Sequence, residues 1–295
     1  MRVITTIQEM VAERSRCASS KKVGFVPTMG YLHEGHLSLV RQGRKENEIL
    51  TASIFVNPTQ FGPHEDLASY PHDLPRDLRM LETLEVDIVF VPAADEIYPP
   101  GFVTYVDPTG PLVTEAEGAR RPGHFRGVAT VVLKLCQIMQ PHQAYFGQKD
   151  AQQVAVISRM VTDLNLPVKL RILSTIREAD GLAMSSRNAY LNPEERSAAT
   201  VLYRALLAGR TVFEAHSIEG VPAVVRAITD TVVAEPRARL DYAEVRDAHS
   251  FMQLEALCAP ALLLIAAKVG PARLIDNFLL RTDGSWDIGI PVTEQ

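Results

Sequence analysis

The chain has 295 residues, of which 46% are hydrophobic and 22% are charged, which is typical of a folded globular protein and not of a disordered one. Its formal net charge of −5 gives no basic footprint for nonspecific binding to nucleic acid or to an anionic membrane, although a local basic cluster could still bind a small anion. The length exceeds that of a usual single domain and predicts two domains.

Short apolar strands alternate with helical patterns as far as about Thr175. Strands are predicted at 23–28, 48–57, 86–92, 143–147 and 168–175, with helices from near His36 and at 73–84, 127–139 and 150–165. Because a strand–helix–strand rhythm is typical of parallel sheets, residues 1–175 are predicted to form an α/β domain with a doubly wound, Rossmann-like parallel sheet.

The pattern changes in residues 176–295, which are predicted to form a smaller α+β C-terminal domain. The polar stretch 177–196 ends in Asn192-Pro193-Glu194-Glu195, a good helix start with a cap, an early proline and acids in the first turn. Helices are predicted for "ERSAATVLYRALLAGRTVFEA" and around "VPAVVRAITDTVVA", and strands for "LDYAEVRD" and "APALLLIAAKVG".

Cysteine usage and hydropathy predict a cytoplasmic protein. Cys17, Cys136 and Cys258 lie far apart and form no CxxC pair, which suits a reducing compartment. The first twenty residues contain no apolar stretch long enough for a signal peptide, and no segment approaches the length of a membrane span.

The first candidate site is "PTMGYLHEGH", where His33 and His36 follow a predicted strand and open a predicted helix. In a parallel sheet this junction lies at the carboxyl edge, and the N–H groups and dipole of a helix N-terminus favour phosphate. Gly30 and Gly35 would allow a ligand to approach the backbone closely. In the alternative interpretation, one histidine caps the helix and the other packs in the core.

Two further polar segments could bind a polyphosphate, although no GxxxxGK[ST] and no GxGxxG motif occurs. "YFGQKDAQQ" places Lys149 and Asp150 at a strand-to-helix junction, where the alternative is a solvated charge pair with an aspartate cap. "MSSRN" offers two hydroxyls and Arg187 in a polar loop, where the alternative is an ordinary turn.

Taken together, "HEGH" and "MSSRN" resemble the HIGH/KMSKS pair of class I aminoacyl-tRNA synthetases and their nucleotidylyltransferase relatives. Within that group, five motifs in the expected order are similar to the pantothenate synthetase (pantoate–β-alanine ligase) family. They are "PTMGYLHEGHLSLV", "IFVNPTQFG", "RPGHFRGVATVV", "FGQKDAQQ" and "DGLAMSSRNAYL", and "GPARLIDN" extends the likeness to residues 270–277. The resemblance implies that ATP and pantoate form pantoyl adenylate, which β-alanine converts to pantothenate with release of AMP.

The resemblance also implies roles for individual residues. His33, His36, Lys149 and Arg187 would be catalytic, and Gln60, Gln153, Tyr70 and Arg121 would line the site for pantoate and β-alanine. ATP would contact Met29, Gly147, Lys149, Asp150, Met184, Ser185, Ser186 and Arg187. Residues 1–175 would then bind ATP and pantoate, residues 176–295 would act as a lid, and the protein would be a homodimer.

The chain departs from the family pattern in one segment. Relatives read Tyr-Pro-Arg-Thr where this chain has Tyr70-Pro71-His72-Asp73, so the roles of that arginine and threonine are not filled by the same side chains. The acid that meets Mg²⁺ in relatives maps to Asp77, next to Arg76, which occupies a position where an acid can occur.

Three other functions are compatible with parts of the sequence. Another adenylate-forming enzyme or a cytidylyltransferase could share the fold. A zinc hydrolase could use His33, His36, His64 and His72, but the i,i+3 spacing in "HEGH" is not the i,i+4 spacing of HExxH, and no CxxC pair occurs. A nucleotide-sensing module would bind ATP without releasing pyrophosphate.

Overall fold

The structure is a computed structural model, and it describes residues 1–17, 20–63, 65–215 and 218–292. The chain divides into two compact units. The first unit comprises Met1–Gly147 and Val156–Leu173, and the second comprises Gln148–Ala155 and Ser174–Gln295.

The first unit contains a six-stranded parallel sheet in the part of the chain that the structure describes, which confirms the predicted fold class. The strands are β1 (Arg2–Ile4), β2 (Val23–Thr28), β3 (Ile49–Ile54), β4 (Ile88–Phe90), β5 (Gln143–Gly147) and β6 (Lys169–Leu173). They lie in the order β1-β4-β3-β2-β5-β6, so the chain builds outward from β2 in both directions. The strand order therefore reverses between β2 and β5.

Helices connect these strands. They are α1 (Ile7–Arg16), α2 (Glu34–Glu46), α3 (Leu74–Thr83), α4 (Ala94–Ile97), α5 (Pro111–Thr114), α6 (Ala116–Arg120), α7 (His124–Met139) and α8 (Ala151–Asp163). Helices α2 and α3 contribute Leu37, Val40 and Leu81 to a core that also contains Val26 and Leu50 of the sheet. Helix α7 packs against β2 and α1.

Several predicted boundaries differ from those observed, for local reasons. Strands β2 and β5 have the predicted bounds, whereas β3 ends at Ile54 instead of residue 57. It ends early because the Asn57 side chain accepts the Thr59 N–H at 3.3 Å and starts a 3₁₀ turn at Pro58. Helix α7 begins at His124, one residue after Gly123, which has a positive φ of 83°.

The second unit has an antiparallel sheet covered by helices. Its elements are β7 (Ile176–Arg177), α9 (Pro193–Ala198), α10 (Val201–Glu214), α11 (Val221–Val233), β8 (Ala238–Asp247), β9 (Ala261–Val269), β10 (Ala272–Leu280), β11 (Trp286–Asp287) and β12 (Ile290–Pro291). The sheet order is β11-β10-β9-β8, and α10 and α11 share one apolar core with it. Helix α9 starts at the predicted Asn192 cap, but the continuous helix predicted beyond it is divided at Ala199 and Thr200.

No helix in the described ranges is both long enough and apolar enough to cross a membrane.

Candidate functional site

The strand order of the first unit marks the place where a ligand is expected. In open parallel sheets, ligands bind beyond the carboxyl ends of the strands, at the point where the strand order reverses. That point lies between β2, which ends at Thr28, and β5, which ends at Gly147. The chain leaves β2 through the turn Met29–His33 and leaves β5 through Gln148–Asp150, and these are two of the segments singled out by sequence.

His33 and His36 together cap the N-terminus of α2. His33 is the N-cap residue, and its Nδ1 accepts the Gly35 N–H at 3.2 Å, while His36 Nδ1 accepts the His33 N–H at 3.4 Å. The two rings are 4.1 Å apart between centroids. Because both Nδ1 atoms act as acceptors, each neutral ring carries its proton on Nε2, which makes both Nε2 groups donors. Capping therefore fixes the tautomer that can donate to an anion.

Asp77 of α3 holds the turn that leads into these histidines. Its Oδ2 accepts the N–H of Tyr31 at 2.7 Å, and its Oδ1 accepts the N–H of Leu32 at 2.8 Å. Tyr31 has a φ of +50°, which costs free energy for a residue with a side chain, and Gly30 before it has a φ of +84°. The two charge-assisted hydrogen bonds stabilise this turn in that conformation.

The Asp77 carboxylate is engaged by the backbone, and its contact with Mg²⁺ stays a prediction. The side chain is buried, which raises its pKa, and the N–H groups of Leu32 and Tyr31 oppose that rise. Each oxygen accepts one backbone N–H and keeps a further lone pair, which is available to a hydrated Mg²⁺. Among the described residues no group of three or more His, Cys, Asp or Glu could hold a metal ion, and His64 lies outside those residues.

Gln60 is held at both ends of its side chain and through its backbone. Asn57 donates to Gln60 Oε1 at 3.0 Å, and Gln60 Nε2 lies 3.3 Å from the sulfur of Met29. The Gln60 carbonyl accepts a hydrogen bond at 2.8 Å from His124 Nδ1. The structure thus joins the turn after β2 to the turn after β3, and it fixes which end of the Gln60 amide donates.

Arg121 belongs to a half-buried charged network beside Gln60. It donates through Nε and one Nη to the two oxygens of Glu65, at 2.8 and 2.6 Å, and through its other Nη to His124 Nε2 at 3.1 Å. Burial and the positive charge of Arg121 lower the pKa of His124 to about 4, so that this ring is neutral near pH 7. Burial opposes ionisation of Glu65, but hydrogen bonding to Arg121 outweighs it and the pKa of Glu65 is lowered.

Tyr70 is buried in an edge-to-face contact with Phe61, and the centroids of the two rings are 5.9 Å apart.

Neither Asn57 nor His124 was among the predicted site residues, although both lie within motifs that the resemblance used, "NPTQ" and "RPGHF". The structure identifies them because both are buried, and a buried polar side chain needs a hydrogen-bonding partner.

In the second unit, Lys149 and Asp150 form a 3₁₀ turn that leads into α8, and Gln153 lies in the first turn of that helix. The Lys149 ammonium lies 3.8 Å from the Asp150 carboxylate, beyond hydrogen-bonding distance, and the lysine side chain is 20% exposed. A half-buried lysine with so loose a partner is suited to a compact anion such as phosphate.

The "MSSRN" segment follows a short hairpin. Met184 N–H donates to the Ile176 carbonyl at 2.9 Å, and Glu178 N–H donates to Leu182 O at 2.8 Å. Ser185 then accepts the Arg187 N–H at 3.3 Å and caps a 3₁₀ helix over Ser186–Tyr190. The segment is therefore an ordered, capped turn whose backbone N–H groups and hydroxyls lie close together.

A parallel sheet with a polar, histidine-capped helix start at its topological switch point is typical of nucleotide-binding α/β proteins, and comparisons with known proteins agree. A model of the pantoate-beta-alanine ligase family matches residues 2–279. The pantothenate synthetase of Roseiflexus sp. (strain RS-1) is 58% identical over 282 residues, which are 95% of this chain and 99% of that protein. The enzyme of Herpetosiphon aurantiacus is 54% identical over 281 residues, or 95% and 100% of the two chains.

Solved structures lead to the same family. The pantothenate synthetase of Thermus thermophilus superposes with a TM-score of 0.89 at 49% identity, covering 94% of this chain and 98% of that one. The pantoate-beta-alanine ligase of Francisella tularensis, solved in complex with beta-gamma ATP and beta-alanine, gives a TM-score of 0.78 at 35% identity, covering 95% and 97%. The chain belongs to the pantoate–β-alanine ligase family.

Proposed function

We propose that the protein condenses pantoate with β-alanine at the expense of ATP, through a pantoyl-adenylate intermediate, and releases AMP and pyrophosphate. The observation that carries the proposal is the polar turn after β2, where His33 and His36 cap the N-terminus of α2 at the switch point between β2 and β5. Family membership over residues 2–279 supports the same reaction.

The first step needs positive charge and hydrogen-bond donors more than it needs a base. The carboxylate of pantoate, with a pKa near about 4, is already ionised at neutral pH. What limits the step is bringing this anion to the α-phosphate of ATP while negative charge develops on the leaving pyrophosphate. His33, His36 and Lys149 are the donors proposed for the phosphates, and the N-terminus of α2 adds its dipole. Arg187, with Ser185 and Ser186, can bind phosphate oxygens through more than one hydrogen bond.

Gln60 and Gln153 are proposed to hold pantoate. An amide side chain can bond to a hydroxyl or a carboxylate without adding a charge that would weaken the nucleophile. The contacts of Gln60 to Asn57 and Met29 support this role, because they orient the amide before a ligand arrives. Arg121 and Tyr70 are proposed to line the same region, and Met29, Gly147, Asp150 and Met184 to contact ATP.

The second step requires the neutral amine of β-alanine and protection of the adenylate from water. The sequence suggests no base for this step, and solvent, the departing phosphate and a histidine are all compatible with it. We assign the shielding to the segment 179–191, with residues 176–295 as the lid. Lower protease sensitivity of this segment with ATP and pantoate bound would support the lid, and unchanged sensitivity would contradict it.

Three further properties belong to the proposal, and the family resemblance implies the first and the last of them. The protein is a homodimer, which sedimentation equilibrium tests directly. It works in the cytoplasm, which its sparse, unpaired cysteines support. Its reaction requires Mg²⁺ with ATP, and exchange activity that survives complete chelation of divalent cations would contradict this.

The decisive experiment is pantoate-dependent exchange of pyrophosphate into ATP, without β-alanine. We expect exchange in the wild type and a decrease of about 10²–10³-fold in both His36→Ala and Lys149→Ala, because each variant removes one donor to the phosphates. His249→Ala and Lys169→Ala, which change exposed residues of the same types, serve as matched controls and should retain exchange.

Other outcomes would favour the alternatives. ATP binding with no pyrophosphate exchange for any acid would indicate a sensing module. Exchange with a different acid, but none with pantoate, would indicate another adenylate-forming enzyme on this fold.

A further inference from the structure

The motif "GPARLIDN" contributes no side chain to the reaction described above, yet it ends in two buried polar residues. Asp276 and Asn277 are consecutive residues of β10, and they are 3% and 2% exposed. Buried polar groups at this level are kept where hydrogen bonds satisfy them. The partners of these two residues are the segments that carry the proposed phosphate-binding side chains of the second unit.

Asn277 holds the turn that contains Lys149. Its Nδ2 donates to the carbonyls of Gln148 and Lys149, at 3.0 and 2.8 Å, and its Oδ1 accepts from the Gln148 side-chain amide at 3.2 Å. Both hydrogens of the Asn277 amide and its oxygen are thus bonded to two neighbouring residues, Gln148 and Lys149. Because the amide bonds to the carbonyl of Lys149 itself, it fixes the direction in which that residue leaves the backbone.

Asp276 holds the hairpin that precedes "MSSRN". Its two oxygens accept from both Nη atoms of Arg177, at 2.6 and 2.9 Å. The guanidinium of Arg177 packs against the rings of Tyr203 and Phe278, 4.7 and 5.3 Å from their centroids, and it also donates to the carbonyl of Gly181 at 3.0 Å. A guanidinium that binds both oxygens of a carboxylate and packs against two rings has little rotational freedom, so the hairpin is held in one place relative to β10.

Successive side chains on a strand point to opposite faces, so these two neighbours bind two different segments from one rigid element. We propose that Asn277 and Asp276 are positioning residues, which fix the Lys149 turn and the Met184–Arg187 turn to the same strand in the geometry that binds the phosphates of ATP. The inference rests on the proposed function for its catalytic consequence. Its structural content, that Asn277 orders the Lys149 turn, can be measured independently.

The test compares Asn277→Asp with a control variant that also destabilises the second unit. The aspartate has nearly the same size, but it places an acceptor against two carbonyl oxygens in place of the donor. Leu274→Ala, in the same strand, removes packing from the apolar core of the second unit, and the apolar Leu274 side chain cannot hydrogen-bond to the Lys149 turn. Asn277→Ser, which removes the amide without burying a charge, replaces Asn277→Asp if that variant does not fold.

Two quantities are measured on each full-length protein. In the pyrophosphate-exchange assay, we expect the Asn277 variant to lose about 10–100-fold in kcat/KM for ATP, as for a lost pair of buried hydrogen bonds, with a smaller change in the KM for pantoate. By hydrogen–deuterium exchange, we expect faster exchange in peptides that cover 148–152. Leu274→Ala should lower the melting temperature, but it should change kcat/KM for ATP and deuterium exchange over 148–152 much less than the Asn277 variant does.

The two proposals fail in distinguishable ways. If Asn277→Asp and Leu274→Ala lose activity in proportion to their loss of stability, the positioning role is overturned. If the wild type shows no exchange with pantoate, the proposed function is overturned instead. In that case unchanged deuterium exchange over 148–152 in the Asn277 variant would also overturn the positioning role, and faster exchange would support it.

Discussion

At the scale of single residues, the most informative side chains of the first unit are those that hold others in place. Asp77 resembles a metal ligand in sequence, but in the structure its carboxylate is used by the backbone of Tyr31 and Leu32. We expect it to orient the turn that leads to His33.

Asp77→Asn should lower the exchange activity because the amide nitrogen cannot accept a backbone N–H. Leaving one buried N–H unpaired costs about 1–3 kcal/mol, which predicts a loss of roughly 10–100-fold in kcat/KM for ATP if the turn moves. Asp73→Asn, which changes the N-cap of the same helix to an equally good cap, is the control. The measurement is exchange kinetics over a range of Mg²⁺ concentrations. A defect that saturating Mg²⁺ abolishes would show that Asp77 acts on the metal.

His124 should make the protein sensitive to acid. Its pKa is lowered from 6.5 to about 4 in the folded chain, so between these values the unfolded chain binds the proton and the folded chain does not. The stability that depends on neutral His124 is therefore complete above about pH 6.5 and is lost as the pH falls toward 4, by about 2 kcal/mol at pH 5. Protonation would place an Nε2–H against the Arg121 guanidinium.

His124→Gln is the matched variant, because an amide can still donate to the Gln60 carbonyl and accept from Arg121 but does not titrate. Thermal unfolding at about pH 7.5 and pH 5 should show a smaller acid-induced decrease in the variant than in the wild type. An NMR titration that finds the His124 ring protonated near pH 6 would contradict the prediction.

At the scale of elements, the site depends on the close packing of helix α7 against the 3₁₀ turn Pro58–Gln60. A β-carbon added at Gly127 would lie 2.3 Å from the carbonyl oxygen of Thr59 and 2.7 Å from the nitrogen of Gln60, distances that force the backbone to move. The helix can approach the turn only because this position has no side chain.

Gly127→Ala should therefore destabilise the protein by about 1–3 kcal/mol, as overpacking does, and should raise the KM for pantoate because Gln60 is displaced. Gly62→Ala is the control in the same loop, since its β-carbon would meet Glu65 at an ordinary 3.6 Å. Melting temperatures and pantoate kinetics of both variants are to be compared. If Gly127→Ala is destabilised but its KM for pantoate is unchanged, the packing of α7 does not control the function of Gln60, and the prediction is wrong.

At the scale of the whole molecule, ligand binding should appear as added stability. A ligand that binds only the folded chain stabilises it by about 2.7 kcal/mol at a hundred times its Kd. We expect MgATP to raise the melting temperature of the wild type and to have a much smaller effect on Lys149→Ala, while CTP at the same concentration does little. An equal response to CTP would favour a cytidylyltransferase.

Many of the helices and strands could be predicted from the sequence, because the spacing of hydrophobic residues and the runs of β-branched residues are local signals. Strands β2 and β5 have the predicted bounds, and the Asn192 cap starts α9 as predicted. The strand β10 was not predicted, since "ARLIDNFLL" interrupts its apolar pattern with a buried aspartate, which pairs with Arg177, and a buried asparagine. A pattern of polarity cannot show that a polar residue will be buried with a partner about 100 residues away along the chain.

The sequence by itself determined the alternation of strands and helices, the polar turns that follow β2 and β5, and the family resemblance, because each depends on residues that are neighbours in the chain. Only the tertiary structure decided which side chains hold the predicted site residues in place. Asp77 bonds to the turn before His33, His124 bonds to Gln60, and Asn277 bonds to Lys149. The hydrogen-bonded residues in these three pairs are 45, 64 and 128 residues apart in the chain, so no local pattern reveals the pairing. Burial strengthens these hydrogen bonds because it removes the water that would otherwise compete for the same groups.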